Sequence, residues 1–261
     1  MLSHYMVLMP FFLLTWTGLT AGDAWRNLTK EDHGLPGNEI QFIKRDNAGT
    51  IWIGTRTGLA RFESGKFKTR IDRGEIWDII RLKDGRYWVG TANRVILLSG
   101  GKSETYLKGN TVAPLIRFNN NTVWAISKNR GTEINALVQA TGTDWSPVKK
   151  FAKERVVDMT RTSDGKIWVI IDGNGVYEVT PGQSSERWSH HLEGSNVTVI
   201  REDSKKRIWF GLWQGGIYCL EGGIWSRHLK RERSFIFNIV EDAKGNIWVA
   251  TNQNGLWRQQ G

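Results

Sequence analysis

Past residue 24 the chain is a succession of short apolar runs separated by turns rich in Gly, Asn and Asp, the pattern of many strands joined by tight hairpins. Six runs carry a tryptophan at an equivalent place: TIWIGT at Trp52, RYWVGT at Trp88, TVWAIS at Trp124, KIWVII at Trp168, RIWFGL at Trp209 and NIWVAT at Trp248. An apolar strand precedes each, among them EIQFIKRD, EIWDIIRL, VVDMTRT, NVTVIRED and FIFNIVED. A third strand follows each: GLARF, RVILL, EINALV, GVYEV, GIYCL, GLWRQ. A fourth, outer strand follows five of them, as KFKTRI, ETYLK, TDWSPV, ERWSHHL and IWSRHL.

Successive tryptophans stand 36 to 44 residues apart, the period of a four-stranded propeller blade. The expected fold is therefore all-β: a six-bladed β-propeller of four-stranded antiparallel blades with no helix of consequence. The sixth repeat ends at GLWRQQG without an outer strand, and AWRNLT near the N-terminus, with its Trp-x-x-Leu, matches WSHHL and WSRHL. That segment is expected to complete the last blade, closing the ring and removing an open sheet edge.

The stretch DNAGTIWIGTRTGLARF, residues 46 to 62, shows the physical logic of one repeat. A second strand flanked on both sides wants apolar residues on both faces, which Ile51, Trp52 and Ile53 supply. Gly49 and Gly58 are expected to give positive φ in the turns on either side, and Asp46 to accept hydrogen bonds from backbone amides of its turn.

The pattern Asp46-x-x-Gly49-x-Ile51-Trp52-Ile53-Gly54-Thr55-x-x-Gly58-Leu59-x-Arg61-Phe62 resembles the two-component regulator propeller repeat, with GLPGNEI at Gly34 to Ile40 as its lead-in. The resemblance spans essentially residues 23 to 261. It is strongest in the first and last repeats and weakest in the third, where NNNTVWAISKNRGTEINALV lacks the Gly-Thr pair. It implies an extracytoplasmic sensor domain, often responsive to carbohydrate and usually fused to a membrane-spanning kinase or another signalling output. No transmembrane helix, kinase or DNA-binding region follows in this sequence, so signalling would need a separate membrane sensor or signalling protein as partner.

Composition adjusts this picture in three places. Residues 1–22, with an apolar run from Met6 to Leu14 and small residues at Thr20 to Gly22, have the form of a signal peptide, leaving one propeller domain over residues 23–261. The expected location is periplasmic or secreted, with no membrane span after cleavage. Cys219 is the sole cysteine, which excludes an internal disulfide. The net charge of +10 favours an anionic partner, and export argues against nucleic acid.

In a blade of this topology the loop from the fourth strand to the next blade and the loop between second and third strands emerge on one face. That face gathers Arg56, Arg73, Arg94, Lys108, Lys128, Arg130, Lys153, Arg155, Lys230, Arg231 and Arg233, against fewer acids, among them Asp32, Glu75, Asp172 and Glu232. The expected ligand-binding set is Arg56, Arg73, Trp77, Arg94, Lys128, Arg130, Arg155, Trp213, Gln214 and Asn254. The six repeated tryptophans are core residues. Trp213 differs, because it stands in a loop where other repeats carry Thr57, Asn93, Asn174 or Asn254; beside Gln214 it suits stacking on a sugar ring. Trp77 begins an inner strand at the channel mouth.

Catalytic readings are weak. His190 and His191 are adjacent in a strand, so they point to opposite faces and cannot share a metal ion. D172-G-N-G175 is a hairpin turn and not a phosphate loop. TSDGKIW only partly matches a sialidase-type turn. Neither cofactor nor catalytic residue is expected. The function expected is a non-catalytic ligand-binding or sensor-type propeller for a carbohydrate or an anionic ligand. The alternatives are a protein-interaction scaffold, and a polysaccharide lyase or hydrolase using His33 or His191.

Overall fold

A computed structural model of the chain describes residues 27–118, 122–129, 135–149, 155–180, 187–229 and 234–260. They form six antiparallel sheets, five of four strands and one of three, each with its strands hydrogen-bonded in chain order. The first strands of the six sheets are Ile40–Arg45, Ile76–Arg81, Asn110–Arg117, Val156–Arg161, Val197–Glu202 and Ile236–Glu241. Contacts between consecutive sheets run mainly through these strands, so the sheets stand side by side along an axis as propeller blades do. The only helix among the described residues is one turn, Lys30–His33, capped by the Thr29 hydroxyl.

The repeated tryptophans explain why the sheets stack. Trp52, Trp88, Trp124, Trp168 and Trp209 are each at most 2% exposed. Trp52 packs on Ile76, Ile79, Val89 and Ile96 of the second blade, and Trp88 on Leu115, Val123, Ala125 and Val138 of the third. Each aromatic ring hides on the order of 200 Å², about 5 kcal/mol of gross transfer free energy. The Gly of Trp-x-Gly-Thr permits this closeness: a Cβ on Gly90 would lie 2.1 Å from the Val112 carbonyl oxygen of the next blade.

The first hairpin turn is fixed by its acid. Asp46 accepts from the amides of Ala48 and Thr50, as the sequence leads one to expect, and also from the Trp52 indole at 3.1 Å. Gly49 has φ +83°, whereas Gly58 is not in the left-handed region; a Cβ there would meet the Ile71 carbonyl oxygen at 2.3 Å. Gly58 is thus required by close backbone approach, and the expectation of positive φ there is corrected. The third repeat departs as its sequence does. Phe118 holds the place of Asp46 and stacks on Trp124, ring centroids 4.1 Å apart and nearly parallel, between unusually long strands Asn110–Arg117 and Thr122–Asn129.

Polar clasps tie neighbouring blades. Asp78 accepts from Lys44 of the first blade at 2.8 Å and from the Leu115 amide of the third at 2.7 Å. Glu202 accepts from the Ser163 amide and hydroxyl, and Glu241 repeats this with Ser204. Among the described residues the sixth sheet has three strands, Ile236–Glu241, Ile247–Thr251 and Leu256–Gln259. The segment expected as its fourth strand lies mostly outside the described residues, as do positions 1–22; Asn27 to Thr29 are not in a strand. The faces that the first and sixth sheets turn away from their neighbours are apolar and open, with Ile43 72%, Leu256 62% and Val240 50% exposed, where equivalent Ile79, Leu59 and Val95 are buried.

Candidate functional site

The loop face carries the expected residues in two groups and several singletons. Arg73, Arg94 and Trp77 all belong to the loop end of the second blade. Arg73 is exposed, Arg94 is half-buried, and its guanidinium reaches over Gly74. Arg155 and Trp213 come together between the fourth and fifth blades. Gln214 is exposed in the turn after Trp213, Asn254 is exposed in the corresponding turn of the sixth blade, and Lys128 ends a second strand. Arg130, Lys153, Lys230, Arg231 and Arg233 lie outside the described residues.

Around Trp213 the structure forms a pocket of about 340 Å³, lined by Arg155, Val157, Asp172, Asn196, Val197, Thr198, Trp213 and Phe235. Three blades contribute. Arg155 precedes the inner strand of the fourth and Val157 lies in it, Asn196 precedes and Val197 and Thr198 begin that of the fifth, and Phe235 precedes that of the sixth. Trp213 is held edge-on against Phe235, centroids 4.6 Å apart, and Phe235 against Phe237 at 4.7 Å. The Trp213 amide donates to the Asn196 carbonyl at 2.8 Å, fixing the loop beneath the ring. Even so packed, Trp213 remains 59% exposed. One edge of the indole is thus held against Phe235 while much of its face is open to solvent.

Charge in this pocket is balanced. Arg155 donates through Nε and Nη2 to Asp172 Oδ2, at 3.1 and 2.9 Å, which orients a flat guanidinium edge beside the aromatic wall. Arg56 is likewise engaged, with Glu39 at 3.1 Å. Two of the cations expected to give this face its excess charge are therefore paired.

Toward the axis the loop end is apolar. Trp77, Val157 and Phe237 occupy matching second positions of their inner strands and are 40%, 41% and 59% exposed. Trp77 is thus open to solvent at that end. Phe235 and Phe237 were not among the expected residues, because FIFNIVED has the alternation of an ordinary strand. Their signal is that Phe237 falls where three other inner strands carry Gln41, Ala113 and Thr198, which are smaller or polar, and shares a bulky apolar character there with Trp77 and Val157. Further in, burial pushes the Asp158 carboxyl up, against the Met159 amide and Arg201.

The histidines behave as adjacent strand residues. His190 meets the Asn174 carbonyl at 2.7 Å and stacks on Tyr177, while His191 meets Glu178 at 3.0 Å. No group of three metal-ligating side chains occurs among the described residues. No helix among the described residues is long and apolar enough to cross a membrane.

Comparison with known proteins places this geometry in context. The sequence model of the two-component regulator propeller matches residues 34–57 and 232–253, the entry to the first blade and the start of the last. No curated protein sequence matches significantly. Among solved structures, the extracellular domain of the candidate one component system BT4673 from B. thetaiotaomicron superposes with TM-score 0.61 at 17% identity, over 85% of this chain and 32% of that one. PorZ of the Porphyromonas gingivalis type-IX secretion system gives 0.62 at 16%, over 85% and 38%. Virginiamycin B lyase from Staphylococcus aureus gives 0.57 at 14%, over 85% and 84%. The chain thus spans about a third of the length of the first two, and the shared feature is the β-propeller fold.

Proposed function

Because this chain carries two-component regulator propeller repeats, we propose that it is a non-catalytic, extracytoplasmic ligand-binding propeller of the sensor type, acting with a separate signalling partner. The ligand we propose is a carbohydrate bound at the loop face, in the pocket of Trp213, Phe235, Val157 and the Arg155–Asp172 pair. The single observation that carries the reading is the open Trp213 ring beside a paired guanidinium and carboxylate. A sugar presents an apolar CH face that suits the indole, and hydroxyls that suit Arg155, Asp172 and Asn196.

The same pocket favours binding over turnover. Its titratable side chains, Arg155 and Asp172, are paired with each other, and neither histidine nor tyrosine lines it. Residues 1–22 act as the export signal in this reading. Pairing of the N-terminal segment before Asn27 with the outer edge strand Leu256–Gln259 of the sixth sheet is part of this reading. BT4673, with its extracellular propeller-type domain, supports a place outside the cytoplasm.

Isothermal titration of the protein with neutral and acidic oligosaccharides tests the proposal, with Trp213→Ala and Asp172→Asn as variants. Binding that Trp213→Ala abolishes supports it. Binding that both variants leave unchanged would move the ligand away from this pocket.

A further inference from the structure

Arginine recurs at one register position in four consecutive blades. Arg45, Arg81, Arg117 and Arg161 each end an inner strand, the first three spaced by 36 residues, while the fifth and sixth blades place Glu202 and Glu241 there. The two glutamates turn to the serines of the neighbouring hairpins. The four arginines converge instead on a pocket of about 260 Å³ at the turn end of the axis, opposite the loop face, together with Lys44, Asp46, Asn47 and Tyr87.

Asp46, the one acid among the described residues that line the pocket, is already saturated with donors. Asp46 accepts from Tyr87 at 2.7 Å, from Trp52 and from two amides of its turn. Lys44 is held by Asp78. Arg117 donates to the Arg81 carbonyl. Among the described residues no ion pair joins Arg45, Arg81, Arg117 or Arg161 to a carboxylate. Arg45 and Arg161 extend over the turn glycines Gly49 and Gly165, with guanidinium nitrogens 3.5 and 3.4 Å from where a Cβ would stand. Their donor edges are free.

We propose that this pocket is a second binding site, distinct from the loop face, for a small ligand bearing a tetrahedral oxyanion such as a phosphate or sulfate ester. Several guanidinium groups around one concave site provide paired N–H donors that match such an oxyanion bidentately, and their mutual repulsion is relieved by a dianion. The cavity is small for a drug-sized molecule, so it suits one anionic group with little attached. If the arginines only cover their hairpin turns, their removal alters stability and leaves the response to anions unchanged.

The test is thermal unfolding and isothermal titration of the purified protein at constant ionic strength, with chloride replaced by inorganic phosphate or inorganic sulfate. Phosphate at about 10 mM is expected to raise Tm by a few degrees relative to chloride. The Arg45→Gln/Arg161→Gln variant, which removes two exposed side chains without an ion-pair partner, is expected to fold and to lose that rise with at least a tenfold weaker affinity. An Arg73→Gln/Arg94→Gln variant on the loop face keeps it. A response to phosphate alone assigns the site to phosphate esters, and an equal response to sulfate assigns it to tetrahedral oxyanions generally. A wild type that responds no more to either than to chloride, or a double variant that responds as strongly as wild type, overturns the proposal.

Discussion

The carboxylate of Asp203 accepts the indole proton of Trp209 at 2.8 Å across one hairpin, joining the acid of the turn to the tryptophan that fills the space between blades. The same bond links Asp46 to Trp52 and Asp242 to Trp248. Where Phe118 and Thr162 stand in place of the acid, the buried indole nitrogens of Trp124 and Trp168 have no hydrogen-bond partner. The spacing D-x-x-x-x-x-W is therefore a device that satisfies a buried donor and fixes the turn together.

Replacing Asp203 by Ala strands the Trp209 indole and frees Arg207, which also bonds Asp203 at 2.6 Å. A loss of about 3 kcal/mol is expected, from one buried donor left unsatisfied and one charge left unpaired. For a domain of this size that is roughly 6–12 °C in Tm. Calorimetry of the variant checks it, and a change under about 1 °C would contradict the role.

The same acids set the response to pH. Partial burial works to raise Asp46 and Asp203, but the hydrogen bonds of Tyr87 and Trp52 to the first, and of Trp209 and Arg207 to the second, outweigh it and hold both below the ordinary 3.8. A carboxyl depressed in the folded state adds stability that is fully present above its unfolded value and lost as pH falls through the folded one. Tm is expected to be insensitive to these groups above about pH 5 and to fall below about pH 4. A Tm rising on acidification through that window would reverse the sign.

Cys219 lies 3% exposed on the third strand of the fifth blade, and burial pushes its thiol up to about 11. It stays protonated at neutral pH, so native protein should resist thiol reagents and label only on unfolding. Rapid stoichiometric labelling at pH 7.5 would show that this sheet opens locally.

If the segment before Asn27 pairs with the outer edge of the sixth sheet, a chain beginning at Lys30 leaves the Leu256–Gln259 edge unpaired and melts below one beginning at Asp23. Hydrogen exchange of the Leu256–Gln259 amides, slow in the longer chain and fast in the shorter, locates the effect. Equal protection in both would refute the added strand.

Much of the architecture was legible because the blades repeat related chemistry: a tryptophan on the second strand of all six, a turn acid in the first, fifth and sixth, and a Gly two residues after the tryptophan in the first, second and fifth. Trp213 stood out as a bulky aromatic in a loop where the other blades place Arg56, Ala92, Asp172 and Asn252 at the same register, and it lines a pocket with Arg155. What escaped the sequence was pairing across space. Arg56 and Arg155 look like free cations until Glu39 and Asp172 are seen against them. Phe235 and Phe237 look like strand core until the end of the axis is seen open. The arginine arc was hidden because charges were weighed loop by loop, whereas Arg45, Arg81, Arg117 and Arg161 end strands and gather only through the rotation of the blades.

The measurement that bears most directly on the central claim is titration of the protein with a panel of oligosaccharides, with Trp213→Ala and Phe235→Ala as paired variants. The account predicts a saturable ligand whose affinity falls at least tenfold in each variant while the melting transition stays cooperative. A ligand bound equally well by wild type and both variants, or no saccharide bound by a well-folded protein, would contradict it.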